Sequence, residues 1–290
     1  MIINHSSLNH ENTVLPNVFN RDIFIDANGI YCDNFVSEQN DEIDLRKKVA
    51  NLTHIANLSQ VAKHHSIGVM DLEVEKFLQQ LPANANVLDV GGGWGWHWRN
   101  LLNYRNDINI FIIDFVYENL EQVKNFCNID TLNKITLIHG DATSLPFLDS
   151  KFDAFWSVQT LQHIPNFKLA ITESHRVLKR NGIFINYTLS SNYFTAFIYF
   201  VLRKHYHRSG YVNGLFWLEL ANLNQLICIQ NIFKSKVCIS YSEHLFHPNF
   251  KLTVTGEKKF LFWKIDVFMS KFTFFGKLFA RQCMFYTIKN

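Results

Sequence analysis

The 290-residue sequence predicts an α/β fold: a doubly wound, mostly parallel sheet of seven strands, with a helical N-terminal extension and aromatic-rich C-terminal insertions. Three observations lead there. Short apolar runs alternate with amphipathic stretches between residues 84 and 190, the pattern that parallel strands with helical crossovers on both faces require. A glycine-rich loop, Gly91-Gly92-Gly93-Trp94-Gly95, directly follows the first apolar run. Acids stand at the ends of the first two runs, Asp89 and Asp114.

Taken in order, the chain to about residue 40 shows no sustained helical period, although 22–31 (DIFIDANGIY) reads as a small hairpin turning at Ala27-Asn28-Gly29. From 41 to 81 the pattern is helical and ends in Val74, Phe77, Leu78 and Leu81 before Pro82. Strands are expected at 86–90, 109–114, 135–139, 152–158 and 182–189, with helices at 96–102, 117–126 and 169–178 between them. After Ser190 the rhythm changes to helices at 192–204 and 216–229, a strand at 236–241, a helix at 258–279 and a last strand at 282–289. In 258–279 the polar residues Lys259, Asp266, Ser270, Thr273 and Lys277 fall on one narrow stripe, so this helix is either nearly buried or touches lipid. The chain therefore divides into an N-terminal extension (1–83), an α/β core (84–190) and a C-terminal completion of the sheet with covering insertions (191–290).

Composition narrows the class. Hydrophobic residues at 48% and charged residues at 18% describe a globular chain, and 27 Phe, 10 Tyr and 6 Trp exceed what a minimal core needs. The net charge of +3 hides an asymmetry: residues 1–190 carry 15 Lys and Arg against 21 Asp and Glu, while residues 191–290 carry 13 against 4. A basic, aromatic end fits an anionic partner, either peripheral membrane contact or a phosphate-bearing molecule, and equally a plain solvated surface. The five cysteines lack zinc or C-x-x-C spacing and read as reduced thiols, which makes the cytoplasm the expected location. The polar stretch 1–12 carries no secretion signal, and the apolar runs 193–202 and 260–279 are too short or too charged to span a bilayer.

The glycine loop lets backbone turn sharply and approach a ligand with no side chain intervening. A dinucleotide fingerprint would place a third small residue at Trp96 and would not tolerate Asp89 beside a pyrophosphate, which argues against a nicotinamide-dependent oxidoreductase. Asp114, 23 residues after Gly91, is placed to accept from ribose hydroxyls or to cap the following helix.

With His139-Gly140-Asp141-Ala142-Thr143-Ser144-Leu145-Pro146-Phe147 and Lys151-Phe152-Asp153 following in register, residues 84–190 resemble the class I S-adenosylmethionine-dependent methyltransferases, type 11-like, which have a Rossmann-like fold. Arg176-Val177-Leu178-Lys179 extends the resemblance, with Arg180-Asn181 where that family usually has Pro-Gly, and Trp94 is a second departure. The resemblance implies S-adenosyl-L-methionine as cofactor, with Gly91, Gly93 and Gly95 along its methionine and ribose side and Asp89 beneath them. It further implies Asp114 on the ribose, Phe115 on the adenine, Asp141 and the Ala142 amide at the adenine edge, and Val158 in the segment passing the methionine end. No metal is implied.

Methyl transfer from a sulfonium needs positioning and exclusion of water, and a base only where the nucleophile must lose a proton. His163, past the fourth strand at the C-terminal edge of the sheet, is the first catalytic candidate; packing or capping before Pro165 explains it equally well. Tyr187 and the cluster Glu243, His244 and His247 are weaker ones. The resemblance places cover for the acceptor in 191–215 and 243–280, whose aromatic residues suit a small-molecule or lipid-linked apolar acceptor. Nucleic acid is the less favoured acceptor, because Ser157-Val158-Gln159-Thr160 stands where base amino-methylases carry an N/D-P-P-Y/F tetrad. A non-catalytic membrane- or nucleic-acid-associated protein that retains the fold is the alternative from another class.

Overall fold

The computed structural model describes residues 18–35, 39–52, 56–247, 252–253 and 260–290. The polar stretch 1–12, Pro248 and the lysines at 258 and 259 lie outside the described residues. In chain order the elements are β1 (Phe24–Ile25), β2 (Tyr31–Cys32), α1 (Asn40–Leu52), α2 (Leu58–Val61), α3 (Ile67–Gln80), β3 (Asn86–Val90), α4 (Leu101–Tyr104), β4 (Asn109–Asp114), α5 (Tyr117–Glu121), α6 (Ile129–Leu132), β5 (Ile135–His139) and β6 (Phe152–Val158). They continue as α7 (Phe167–Val177), β7 (Leu178–Leu189), α8 (Tyr193–Val201), β8 (Ser209–Val212), β9 (Phe216–Glu219), α9 (Leu223–Phe233), β10 (Cys238–Ser242), β11 (Phe246–His247), β12 (Leu252–Thr253), α10 (Phe260–Met269), α11 (Thr273–Phe279) and β13 (Gln282–Ile288).

Period-2 alternation builds the core. In β3 and β4, Val87, Ile110 and Ile112 point to one face of the sheet and pack with Phe77 and Leu78 of α3 and with Trp98. Their neighbours Leu88, Val90, Phe111 and Ile113 point to the other and pack with Ile171 and Val177 of α7 and Phe233 of α9. Strands buried on both faces, as β3 and β4 are, read as continuous apolar runs, and all seven expected strands are present.

The main sheet has the order β1-β2-β5-β4-β3-β6-β7-β13-β10. From β2 to β7 neighbouring strands are parallel, and β13 lies antiparallel between β7 and β10. The seven expected strands run from β5 to β10. The hairpin adds two more at the edge through Tyr31 and Cys32, which pair with Ile138 and His139. Its turn closes because the Asp26 carboxylate accepts the N–H groups of Asn28 and Ile30. Because β4 and β5 go to one side of β3 while β6 and β7 go to the other, the strand order reverses at β3 and a crevice opens at the C-terminal ends.

Three helix expectations are corrected. The stretch 96–102 is a 3-10 turn, Trp96–Trp98, followed by α4, because the Arg99 guanidinium, held by Asp71, takes the Trp96 carbonyl that a continuous helix would offer to the N–H of Asn100. Residues 216–229 divide into β9, paired with β8, and α9, which starts where the Asn222 side chain accepts the Gln225 N–H. The long helix expected at 258–279 is α10 and α11 with a break at Lys271–Phe272, which allows Gly276 of α11 to lie against the Tyr241 ring, where a Cβ would come within 2.2 Å.

Candidate functional site

At the switch point the chain leaves β3 and turns through the glycine loop. Gly91 has φ 69°, its N–H donates to the Ile113 carbonyl (2.7 Å), and a Cβ on it would fall 2.1 Å from the Thr160 side chain. A Cβ on Gly92 would meet the Asp89 carboxylate at 2.4 Å. Both positions therefore demand glycine, one for backbone conformation and space and the other for space alone.

Two acids serve the loop from below and beside it. Asp89 is 1% exposed, and its Oδ2 accepts the Trp98 indole N–H at 2.7 Å. Burial raises its pKa to about 7. Asp114, at the end of β4, accepts the Val116 N–H with Oδ1 (2.8 Å) and the Gly93 N–H with Oδ2 (3.0 Å). Burial raises its pKa to about 6 against the pull of these bonds. The Asn119 side chain also bonds to this carboxylate, so only part of its roughly four acceptor positions remains for a ligand.

A cavity of about 480 Å³ opens over the loop, within the range of small-molecule sites. Of the residues the sequence singles out, Gly91, Gly93, Asp114, Phe115, Asp141, Ala142, Val158 and His163 line it. Asp89 and Gly95 do not: the Asp89 carboxyl lies under Gly92, and Gly95 faces Ile112 and Val123 in the core. Asp141 keeps its loop in shape by accepting the Thr143 N–H.

The His163 ring has both nitrogens engaged. Nδ1 donates to the Trp217 carbonyl (2.7 Å), so Nε2 carries the lone pair and accepts from the Gln162 amide (3.2 Å). Gln162 is oriented in turn, since its Oε1 accepts the Leu189 N–H (2.7 Å). Burial, with Arg46 nearby, pushes His163 down to about 4. The ring therefore ties β9 to the core and is a poor proton acceptor.

Of the other catalytic candidates, Tyr187, Glu243 and His244 do not line the cavity, and the side chain of His247 lies outside those described. Tyr187 is 2% exposed and donates its hydroxyl to Glu73 inside the core. Buried Glu243 pairs with Arg281 and accepts the Ser66 N–H. His244 faces the Asp266 carboxylate of α10 at 3.0 Å. Among the described residues no group of three or more His, Cys, Asp or Glu side chains is arranged to hold a metal ion.

The cavity's cover differs from the expectation for 191–215 and 243–280, since none of the described residues of those segments lines it. The wall comes instead from the N-terminal extension, with Gln39, Glu42 and Arg46 at and within α1 and Gln60, Val61, His64 and His65 at and after α2. Trp96, His97 and Arg281 complete it. Gln39 donates to the His163 carbonyl at 2.6 Å, which joins this cover to the sheet. The Glu42–Arg46 spacing of four was legible as a helical ion pair, but nothing local in the sequence connects it to Gly91.

The family profile described as a methyltransferase domain matches residues 88–186. The ubiquinone/menaquinone biosynthesis C-methyltransferase UbiE of Rickettsia typhi is 32% identical over 126 residues, covering 41% of this chain and 51% of that protein. The chain thus spans about half the length of the first curated relatives it matches. The malonyl-acyl-carrier-protein O-methyltransferase of Buchnera aphidicola is 26% identical over 204 residues, 69% of this chain and 73% of the relative. A solved structure of an S-adenosylmethionine-dependent methyltransferase from Thermotoga maritima shares the fold, with a TM-score of 0.54 at 15% identity over 87% of this chain and 99% of that one.

Proposed function

We propose that this chain, whose residues 88–186 match a methyltransferase-domain family, is a class I S-adenosylmethionine-dependent methyltransferase acting on a small-molecule or lipid-linked apolar acceptor. The observation that carries this reading is the cavity at the switch point, where the glycine loop, Asp114 and the Asp141–Ala142 turn face the same space. When bound, the cofactor supplies the methyl group and its own leaving group. Asp114 would hold the ribose hydroxyls with its remaining lone pairs, Phe115 would pack on the adenine, and Asp141 and the Ala142 amide would read the adenine edge. Gly91 and Gly93 offer bare backbone to the methionine portion, with Asp89 as a buried support beneath them. Val158 completes that end. His163 acts as a positioning residue that fixes the wall. The relatives from Rickettsia and Buchnera, a quinone-pathway enzyme and one acting on a carrier-bound malonyl group, support a small or carrier-linked acceptor.

Calorimetric titration with S-adenosylhomocysteine tests the reading. The wild-type chain binds saturably, Asp114→Ala binds at least tenfold more weakly, as loss of charge-assisted hydrogen bonds predicts, and NAD does not compete. Tight binding of NAD, or no binding of the sulfur nucleoside, overturns it.

One surface favours a bilayer-proximal setting. Phe197 (63%) and Phe200 (79%) on α8 and Leu261 (68%), Phe268 (58%) and Phe274 (68%) on α10 and α11 are exposed, α8 meets α11 through Phe194 and Phe279, and this third of the chain is basic. Both helices adjoin the sheet edge that bears the cavity: α8 follows β7, and α11 precedes Arg281. No described helix is long and apolar enough to cross a membrane. Peripheral contact with anionic lipid at this rim is therefore part of the proposal.

A further inference from the structure

The residues assigned above to the cofactor occupy only part of the cavity. One further part of its wall is formed by His65, Trp96, His97, Gln159 and Arg281, brought together from just before α3, the turn after the glycine loop, the end of β6 and the start of β13. His97 is 6% exposed, and neither of its ring nitrogens has a hydrogen-bond partner among the described residues. Its ring lies 3.9 Å, centroid to centroid, from Trp96, which in turn stands 5.6 Å from His65. The buried Nδ1 of His65 is likewise without a partner among the described residues. The Arg281 guanidinium, held by Glu243 at 2.5 Å and over the Phe246 ring, projects its charge onto His64 and His65. Buried polar atoms in folded proteins are almost always paired, so three unpaired imidazole nitrogens on two side chains that line one cavity mark a place made for a ligand.

Resting on the methyltransferase reading, the geometry points to this wall as the acceptor subsite, built to take the acidic oxygen of the acceptor, a phenolate, enolate or carboxylate, through N–H donors of His97, His65 and Arg281. None of the five residues of this wall is a carboxylate; Glu243, behind Arg281 and outside the cavity lining, is committed to Arg281 and the Ser66 N–H, and Glu42, which does line the cavity, is paired with Arg46. The Asp89 carboxylate lies on the other side of Gly92, away from the subsite. An acceptor bound as its anion has left its proton in water, so the site needs no protein base, consistent with the full engagement of His163. The indole of Trp96 beside the imidazoles gives the subsite a flat apolar face, which favours a conjugated ring carrying the oxygen.

The test uses the full chain saturated with S-adenosylhomocysteine and titrated with 4-nitrophenol, whose visible absorbance reports its ionised form, with nitrobenzene as the analogue lacking the oxygen. The expected result is saturable binding with a rise in phenolate absorbance, at least tenfold weaker binding of nitrobenzene, and at least tenfold weakening of nitrophenol in His97→Phe and in Arg281→Lys while nucleoside affinity is retained. Arg281→Lys keeps a cation opposite Glu243, and His97→Phe keeps ring volume, so one variant remains informative if the other misfolds. Equal binding of nitrobenzene, binding as the neutral phenol, no binding to the nucleoside-loaded protein, or indifference of both variants would overturn the inference. Failure of the wild-type chain to bind the nucleoside would overturn the methyltransferase reading beneath it.

Discussion

Replacing Asp89 by Asn isolates the cost of a charge held under the glycine loop. Asn keeps an oxygen for the Trp98 indole N–H, 2.7 Å away, and removes the ionisable proton. In the folded protein burial raises the Asp89 carboxyl from 3.8 to about 7; the Trp98 bond opposes the rise and the Asp114 carboxylate adds to it. In the unfolded chain the same group ionises near its ordinary value, about 3.9. Between those values the folded chain retains a proton that the unfolded chain has released, so stability falls as pH rises from about 4 to about 7 and levels off above. Three units at about 1.4 kcal/mol each set a ceiling of about 4 kcal/mol for the loss. Asp89→Asn escapes that loss, so it should match the wild type near pH 4.5 and exceed it by about 2–4 kcal/mol at pH 8. Urea denaturation followed by tryptophan fluorescence measures this directly, since Trp98 and Trp156 are both fully buried. Stability curves that run parallel for the two proteins from pH 4.5 to 8 would refute the assignment of an uncompensated buried carboxyl to this position.

Further expectations follow from single contacts. Gly91→Ala, with φ at 69° and a Cβ 2.1 Å from Thr160, should destabilise by about 2–5 kcal/mol, the sum of left-handed strain and overpacking; a melting temperature equal to wild type contradicts the loop geometry. His163→Ala severs the bond to the Trp217 carbonyl, and amide exchange across β8 and β9 should quicken selectively; unchanged protection there would deny the ring its tying role. Phe197→Ser/Phe200→Ser removes two exposed rings from α8 and should abolish flotation with anionic liposomes at low salt while leaving nucleoside binding intact. Wild-type protein that stays in the soluble fraction removes the bilayer contact from the proposed function. Asn222→Ala deletes the side-chain cap of α9 and should cost about 1 kcal/mol in urea denaturation.

How legible the protein was in its sequence depended on the range of the interaction involved. Local periodicity located seven of the nine strands of the main sheet, most directly β3 and β4, which are apolar on both faces and bounded by glycine or acids. The glycine loop was legible as well, since the backbone conformation at Gly91 excludes other residues whatever surrounds it. Short-range rules failed where a partner far along the chain overrode propensity. Arg99 breaks the helix after Trp96 by taking a carbonyl, and the strand at 216–219 forms against 209–212 where an apolar helical period was equally readable.

The sequence by itself determined the strand positions, the glycine turn and the acids at the strand ends, all properties of residues within a few positions of one another. Only the tertiary structure decided what encloses the cavity. The Ser66 N–H meets Glu243 across 177 residues, and Glu243 pairs with Arg281 across 38, so the wall of imidazoles and guanidinium exists only once the N-terminal helices have packed against the last strand. It also decided that the aromatic C-terminal helices stand outside the cavity, because a hydrophobic run records that a side chain avoids water but not which surface it will cover.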